Sequence, residues 1–241
     1  MHRRKFIKQS SIAAGLFCAP AILRNLQQDD TILGHNNKRY RINTKWSQAD
    51  VARYPVKDCH EMVQDKLGRI VLLTNETKNN VIIYDKSGRL IKTWGSEYPG
   101  AHGLTLFNEN GDDVLFICDN NRHQVIKTTI DGSVLLTLDY PKETGQYTKA
   151  DEYVPTESII APNGDIYVVD GYGKDFVIQY DSKGKYIRHF GGRGEGDKYL
   201  VNAHGICIDN RDKANPCLII TSRIQNAFKR YKFDGTYIDT I

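Results

Sequence analysis

The sequence predicts an all-β protein of the β-propeller class. Three observations carry that prediction. Four short apolar strands recur as a unit four times, with units opening at His60, His102, Thr156 and His204. Within each unit the strands are separated by Asn-Gly, Asp-Gly, Ser-Gly or Lys-Gly pairs, which are hairpin signals. After residue 25 no amphipathic run of about 10–15 residues with helical period is found, so the helices that a parallel sheet needs are missing. Spacings of 42, 54 and 48 residues, with four strands in each, suit one propeller blade per unit.

The chain has 241 residues, 40% hydrophobic and 26% charged, enough apolar material for a sizeable core. Tyr outnumbers Phe, 14 to 8, which favours strands. The formal charge of +4 is concentrated at the start: residues 1–24 hold Arg3, Arg4, Lys5, Lys8 and Arg24 and no acid. The remainder is close to neutral, which excludes a basic field for nucleic acid or an anionic membrane.

Residues 1–24 read as an export signal. His2-Arg3-Arg4-Lys5-Phe6-Ile7-Lys8 resembles a twin-arginine motif, residues 12–17 are apolar, and Ala19-Pro20-Ala21 is a small-x-small cleavage candidate. The apolar run is too short to span a bilayer, so no stable membrane anchor is expected. The expected location is periplasmic or extracellular, reached through the twin-arginine export machinery. Four cysteines follow the signal: Cys59, Cys118, Cys207 and Cys217. None forms a CxxC pair, and no disulfide connectivity follows from them. Cys118 and Cys207 fall inside apolar runs and are expected to be small buried hydrophobes.

Residues 25–57 are polar and irregular and are expected to be a linker, with a lone first strand near Tyr40-Arg41-Ile42. Blades are expected over 58–100, 101–154, 155–202 and 203–241. Their turns fall at Gly68 and Ser87-Gly88, at Asn110-Gly111 and Asp131-Gly132, at Asn163-Gly164 and Lys183-Gly184, and at Asp234-Gly235. The glycine-rich run Gly191–Gly196 joins two blades and does not open a helix, so it is no phosphate cradle.

In a propeller the first residue of each innermost strand sits at one mouth of the central channel. His60, His102, Thr156 and His204 occupy that position, and Ala-His-Gly occurs at both 101–103 and 203–205. Three imidazoles converging there would suit a zinc site with an open coordination position. The alternative is that histidine merely punctuates the repeat. His123 and His189 fall on outer strands and read as structural.

The repeat resembles the NHL family, whose rings usually have six blades. On that resemblance about four of six blades are present, and the chain is expected to be truncated. An ordered set of motifs is similar to the peptidyl-α-hydroxyglycine α-amidating lyases, six-bladed propellers with a catalytic zinc. It comprises Ala101-His102-Gly103-Leu104, Arg122-His123-Gln124-Val125, Pro155-Thr156-Glu157, Asp170-Gly171-Tyr172, His204 and Thr221-Ser222-Arg223. The resemblance implies His102 and His204 as zinc ligands, Tyr172 as the catalytic tyrosine and Arg223 as an active-site arginine. It also implies a calcium ion held by channel carbonyls as a possible second ion.

The departures are informative. The family's third zinc histidine belongs to a later blade, and His60 stands where the family places no ligand. It is therefore a doubtful third metal ligand. Thr74-Asn75-Glu76 stands where the family has a second arginine. The implied reaction is cleavage of the C–N bond of a carbinolamide to an amide and an aldehyde, on a small-molecule or peptide substrate. The alternative is a non-catalytic propeller that binds a ligand or protein at a channel mouth. A lactonase-like hydrolase is a third reading, for which Glu157 is the one carboxylate at a plausible inner position.

Overall fold

A computed structural model describes residues 32–241. The expected export signal lies outside the described residues. Two units are distinguished, one ending at Thr44 and one spanning Lys45–Ile241.

In the first unit, β1 (Ile32–His35) and β2 (Lys38–Arg41) form an exposed antiparallel hairpin, with Gly34 opposite Arg39. The lone strand expected near Tyr40 is thus half of a local pair. Asn36 adopts φ 53° in its turn, a conformation asparagine tolerates better than most residues.

The second unit holds four antiparallel four-stranded sheets, each in simple up-and-down order. The first comprises β3 (Glu61–Gln64), β4 (Ile70–Leu73), β5 (Val81–Tyr84) and β6 (Leu90–Trp94). The second comprises β7 (Ala101–Glu109), β8 (Asp112–Asp119), β9 (Gln124–Thr129) and β10 (Val134–Leu138). The third comprises β11 (Glu157–Ile160), β12 (Ile166–Val169), β13 (Phe176–Tyr180) and β14 (Tyr186–Gly191). The fourth comprises β15 (Ala203–Asp209), β16 (Cys217–Ser222), β17 (Ala227–Tyr231) and β18 (Tyr237–Thr240). The only helical segments among the described residues are two three-residue 3-10 turns, Lys142–Thr144 and Ala150–Glu152. This is the predicted all-β, propeller-type architecture. The first strands lie side by side in chain order, β3 against β7, β7 against β11 and β11 against β15.

The core lies between neighbouring sheets. Leu73, Ile83, Leu115 and Ile117 pack between the first and second sheets. Phe116, Val125, Val168 and Ile178 fill the gap between the second and third. Val169, Val177, Leu218 and Ile220 do so between the third and fourth. Each such side chain contributes roughly 1.5–3 kcal/mol through burial, so the sheets stack face to face and hold their first strands in line.

One device recurs at the edge where the first strands begin. The residue at or just past the end of each second strand accepts the backbone N–H of the segment entering its own sheet. Lys57 N donates to Thr74 Oγ1, Gly100 N to Asp119 Oδ1, Val154 N to Asp170 Oδ1 and Val201 N to Ser222 Oγ. Thr74, Asp119, Asp170 and Ser222 are all fully buried. A buried amide without a partner would cost about 1–3 kcal/mol, so these four acceptors set where each inner strand starts.

Two expectations change. Residues 45–57 do not run as a free linker. Trp46 Nε1 donates to Lys86 O, its ring lies 5.3 Å from that of Tyr84, and Gln48 N donates to Gly88 O. Gly88 has φ 87°, and a Cβ there would meet the Trp46 carbonyl. Cys207 is exposed, not buried: it points to the face of the fourth sheet that also exposes Phe228 and Ile238. The four described cysteines are free thiols.

Candidate active site

The two Ala-His-Gly tripeptides are β-bulges. Ala101 faces Asp119 and Gly103 faces Cys118, so His102 is the extra residue. Ala203 faces Ser222 and Ile206 faces Ile220, which again leaves one extra residue on β15. The strands β3 and β11 pair with their second strands in unbroken register. A bulge turns its side chain out of the normal alternation. Here it turns His102 and His204 toward each other, with ring centroids 5.0 Å apart.

Tyr172 stands between them. Its hydroxyl lies 2.9 Å from Nε2 of His204 and 3.3 Å from Nε2 of His102. The side chain is 37% exposed, so the phenol is within reach of a solute. Gly171 permits the approach, because a Cβ there would lie 1.7 Å from the Ala203 carbonyl oxygen. Asn202 Nδ2 donates to Gly171 O at 3.0 Å and ties the loop to the start of β15. The Arg223 guanidinium carbon is 5.7 Å from the centre of the Tyr172 ring. Arg223 is placed by its backbone N–H, which donates to Asn202 O.

The fold brings His102, His204, Tyr172 and Arg223 together. His60 joins them as well. Its ring stacks on that of His102, with centroids 4.0 Å apart and planes 26° apart. Thr156 takes part from the intervening sheet. Its carbonyl accepts a hydrogen bond from His102 Nδ1 at 2.9 Å, and its hydroxyl donates to Ala203 O at 2.8 Å. His123 and His189 lie elsewhere. His123 Nδ1 meets Tyr153 O and His189 Nδ1 meets the Tyr186 hydroxyl.

Burial dominates the electrostatics. His102 is held down to about 4, first by burial and then by the neighbouring His60, His204 and Arg223. Burial, with Arg223 and His60 behind it, also lowers His204. A carbonyl can only accept, so His102 Nδ1 carries its proton and Nε2 presents a lone pair to Tyr172. The consistent network has Tyr172 O–H donating to His102 Nε2 and His204 Nε2–H donating to the Tyr172 oxygen.

Beside this cluster lies a carboxyl pair that the sequence reading saw only in part. Glu157 is buried and hydrogen-bonds Glu61, which itself accepts the Leu104 N–H at 2.8 Å. Ser158 N donates to Glu157 Oε1 at 2.9 Å, and the Thr105 hydroxyl lies 3.1 Å from the same oxygen. Burial, and then Glu61, push the Glu157 carboxyl well above the usual carboxylate range. Glu61, which opens β3, was missed, because its facing Glu157 across β7 depends on two sheets.

Zinc needs three convergent donors. Imidazole lone pairs lie in the ring plane, so the stacked rings of His60 and His102 direct theirs side by side and not to one point. Among the described residues, no group of three or more His, Cys, Asp or Glu is arranged to hold a metal ion. His102 and His204 suit a pair of imidazole donors; the described residues do not complete a three-ligand site with them.

No family model matches the chain. Peptidyl-alpha-hydroxyglycine alpha-amidating lyase 1 of Drosophila melanogaster is 27% identical over 156 residues, which are 63% of this chain and 26% of that protein. A probable peptidyl-alpha-hydroxyglycine alpha-amidating lyase of Caenorhabditis elegans is 30% identical over 132 residues, 53% of this chain and 34% of that protein. The chain thus spans a quarter to a third of the curated relatives it matches. Among solved structures, a streptogramin B lyase superposes with a TM-score of 0.56 at 16% identity, covering 77% of this chain and 55% of that one. An inactive H270A virginiamycin B lyase from Staphylococcus aureus, bound to quinupristin, gives 0.52 at 15% identity over 75% and 54%. The structural likeness is one of fold. The chain is a β-propeller with distant sequence similarity to amidating lyases.

Proposed function

We propose that the protein is a lyase that cleaves the C–N bond of a carbinolamide, with Tyr172 as its proton-transfer group. The observation that carries this is the hydroxyl of the partly exposed Tyr172, held between Nε2 of His102 and Nε2 of His204. Both imidazoles are kept neutral near pH 7, so one accepts and the other donates at the phenol oxygen. The substrate hydroxyl gives its proton to the Tyr172 oxygen as the Tyr172 proton passes to His102. The freed O–H electron pair forms the aldehyde C=O, and the C–N pair leaves on nitrogen. The amide nitrogen recovers a proton through the same chain, so protons balance and no oxidant is needed. Arg223, a cation beside the phenol, holds a carboxylate on the substrate. Similarity to the amidating lyases supports this reading.

The test is incubation with an N-acyl-α-hydroxyglycine, following glyoxylate and the primary amide. The expected result is turnover by the wild type, a loss of roughly 100-fold or more in Tyr172→Phe, and a raised KM in Arg223→Ala. Equal glyoxylate release by wild type and Tyr172→Phe would reject Tyr172 in this role. A non-catalytic binding propeller would instead show ligand binding that survives His102→Ala and His204→Ala. Export is part of the proposal, and fractionation of cells with Arg3 and Arg4 replaced tests it.

A further inference from the structure

The repeat is uneven. The interval from His102 to Thr156 is 54 residues, against 42 and 48 for the others. The extra chain lies between β10 and β11, where the two short 3-10 turns are found. Its side chains turn toward the loop that carries Tyr172. The Tyr147 hydroxyl, buried, donates to Asp170 Oδ2 at 2.6 Å. Val154 N donates to Asp170 Oδ1 at 2.6 Å. From the other side, Lys174 Nζ reaches Gln146 O at 2.6 Å and Glu152 Oε2 at 3.0 Å.

Asp170 has no exposed surface, and its loop wraps it closely. Lys174 N donates to Oδ2 at 2.7 Å, and a Cβ on Gly173 would lie 2.2 Å from Oδ1. The equivalent residue of the second sheet is Asp119. It takes the backbone amides of Gly100, Asn121 and Arg122. Asp170 takes two amides and, in addition, a phenol from the inserted segment. The loop after Asp119 sends no side chain to the histidine cluster, whereas the loop after Asp170 sends Tyr172. The extra tie occurs where a catalytic side chain has to be held.

We infer that the inserted segment, residues 139–154, is a brace for Tyr172, and that Asp170 is the positioning residue through which it holds the phenol between His102 and His204. The functional weight of the brace rests on the proposed role of Tyr172; its geometry does not. The brace responds to the charge of Asp170. Three donors point at its two oxygens and leave about one lone-pair site, the one a proton would take. Burial raises this carboxyl to about 6, against the pull of its hydrogen bonds, and Asp175 adds to the rise. The groups facing it are Tyr147, Lys174, Asp175 with its partner Arg193, and the buried Tyr153 and Tyr180. Because burial raises this carboxyl, protonation favours the tightly wrapped loop and the buried charge above the midpoint opposes it, so the seat of Tyr172 between the histidines shifts across that midpoint.

The experiment uses the whole chain with ring-labelled tyrosine and follows the Tyr172 signal by NMR, assigned with Tyr172→Phe. In the wild type the signal moves with a midpoint near pH 6, the value to which burial raises Asp170. Asp170→Asn abolishes that transition and leaves those due to the histidines. Tyr147→Phe removes a donor to the carboxylate and moves the midpoint up by roughly half to one pH unit. A Tyr172 signal whose titration is the same in wild type and both variants overturns the inference. If Asp170→Asn does not fold, Tyr147→Phe decides alone, and an unmoved midpoint overturns it. No substrate is used, so failure of the lyase reading and failure of the brace are separate results.

Discussion

The ring of His60 lies flat against that of His102, 4.0 Å away and 26° from parallel. Two imidazoles stacked this closely cannot both be protonated cheaply, and His60 is one of the neighbours that hold His102 down. His60→Ala removes a neighbouring charge and also uncovers one face of the His102 ring. Both changes favour the imidazolium, so the His102 titration moves up from about 4. Histidine ring NMR across pH 3–8 checks it, and a value unchanged by the substitution refutes the stacking account.

The same stack separates His60 from metal binding. Zinc added to the protein is expected to engage His102 and His204, the two imidazoles that share Tyr172 as a neighbour. Titration calorimetry should show zinc affinity falling at least about tenfold in His102→Ala or His204→Ala, as loss of a direct ligand requires. His60→Ala should leave it within about threefold. A loss in His60→Ala as large as in the other two would make His60 a ligand.

Two buried groups pull stability in opposite directions with pH. His102 falls from 6.5 to about 4 on folding, so its contribution is complete above 6.5 and is lost as pH drops toward 4. Asp170 rises from 3.8 to about 6, so its contribution is complete below 3.8 and is lost as pH climbs to 6. Each spans roughly 3 kcal/mol. His102→Gln should therefore gain on the wild type as pH falls from 6.5 to 4. Asp170→Asn should gain on it as pH rises from 4 to 6. Urea unfolding at a series of pH values reads both differences, and the same sign for both would contradict the assignment.

The fold was legible because its signals are local. Turn pairs such as Asp131-Gly132 and Lys183-Gly184, and apolar runs such as Val81–Tyr84, need only their own neighbours to be read. His102 and His204 were legible because a repeat superimposes equivalent positions. What escaped is set by contacts across sheets. The bulges at His102 and His204 appear only in the pairing register. Asp170 reads as a turn residue until Tyr147, 23 positions earlier, is seen to reach it. Cys207 was misplaced because an apolar strand run does not say whether a second sheet covers it.

The two Ala-His-Gly tripeptides are identical in sequence but not in steric demand. A Cβ on Gly103 would lie 2.6 Å from Thr156 O and 3.0 Å from Glu157 Oε1. A Cβ on Gly205 would meet nothing closer than Thr221 Oγ1 at 3.5 Å, an ordinary contact. Gly103→Ala should cost roughly 1–3 kcal/mol by forcing β7 away from β11. Gly205→Ala should change stability by no more than about 0.5 kcal/mol. Thermal or urea unfolding distinguishes them, and equal costs would mean that repeat identity, not local contact, dictates both glycines.

Glu157 and Glu61 form a pair that works best with a proton between them. Glu157 is buried among the Ser158 amide, the Thr105 hydroxyl and the Glu61 carboxyl. Its carboxyl is pushed well above the ordinary range, so the stability it contributes is present at low pH and is lost as pH rises through its folded value. Glu157→Gln keeps the shape and the acceptor for Ser158 N but never ionises. It should match the wild type within about 1 kcal/mol at low pH and overtake it as pH rises. Glu157→Ala strands the Ser158 amide and should cost roughly 1–3 kcal/mol at every pH. If Glu157→Gln instead lost ground to the wild type at high pH, the ionised form would be the one the fold supports, and the pair would not share a proton.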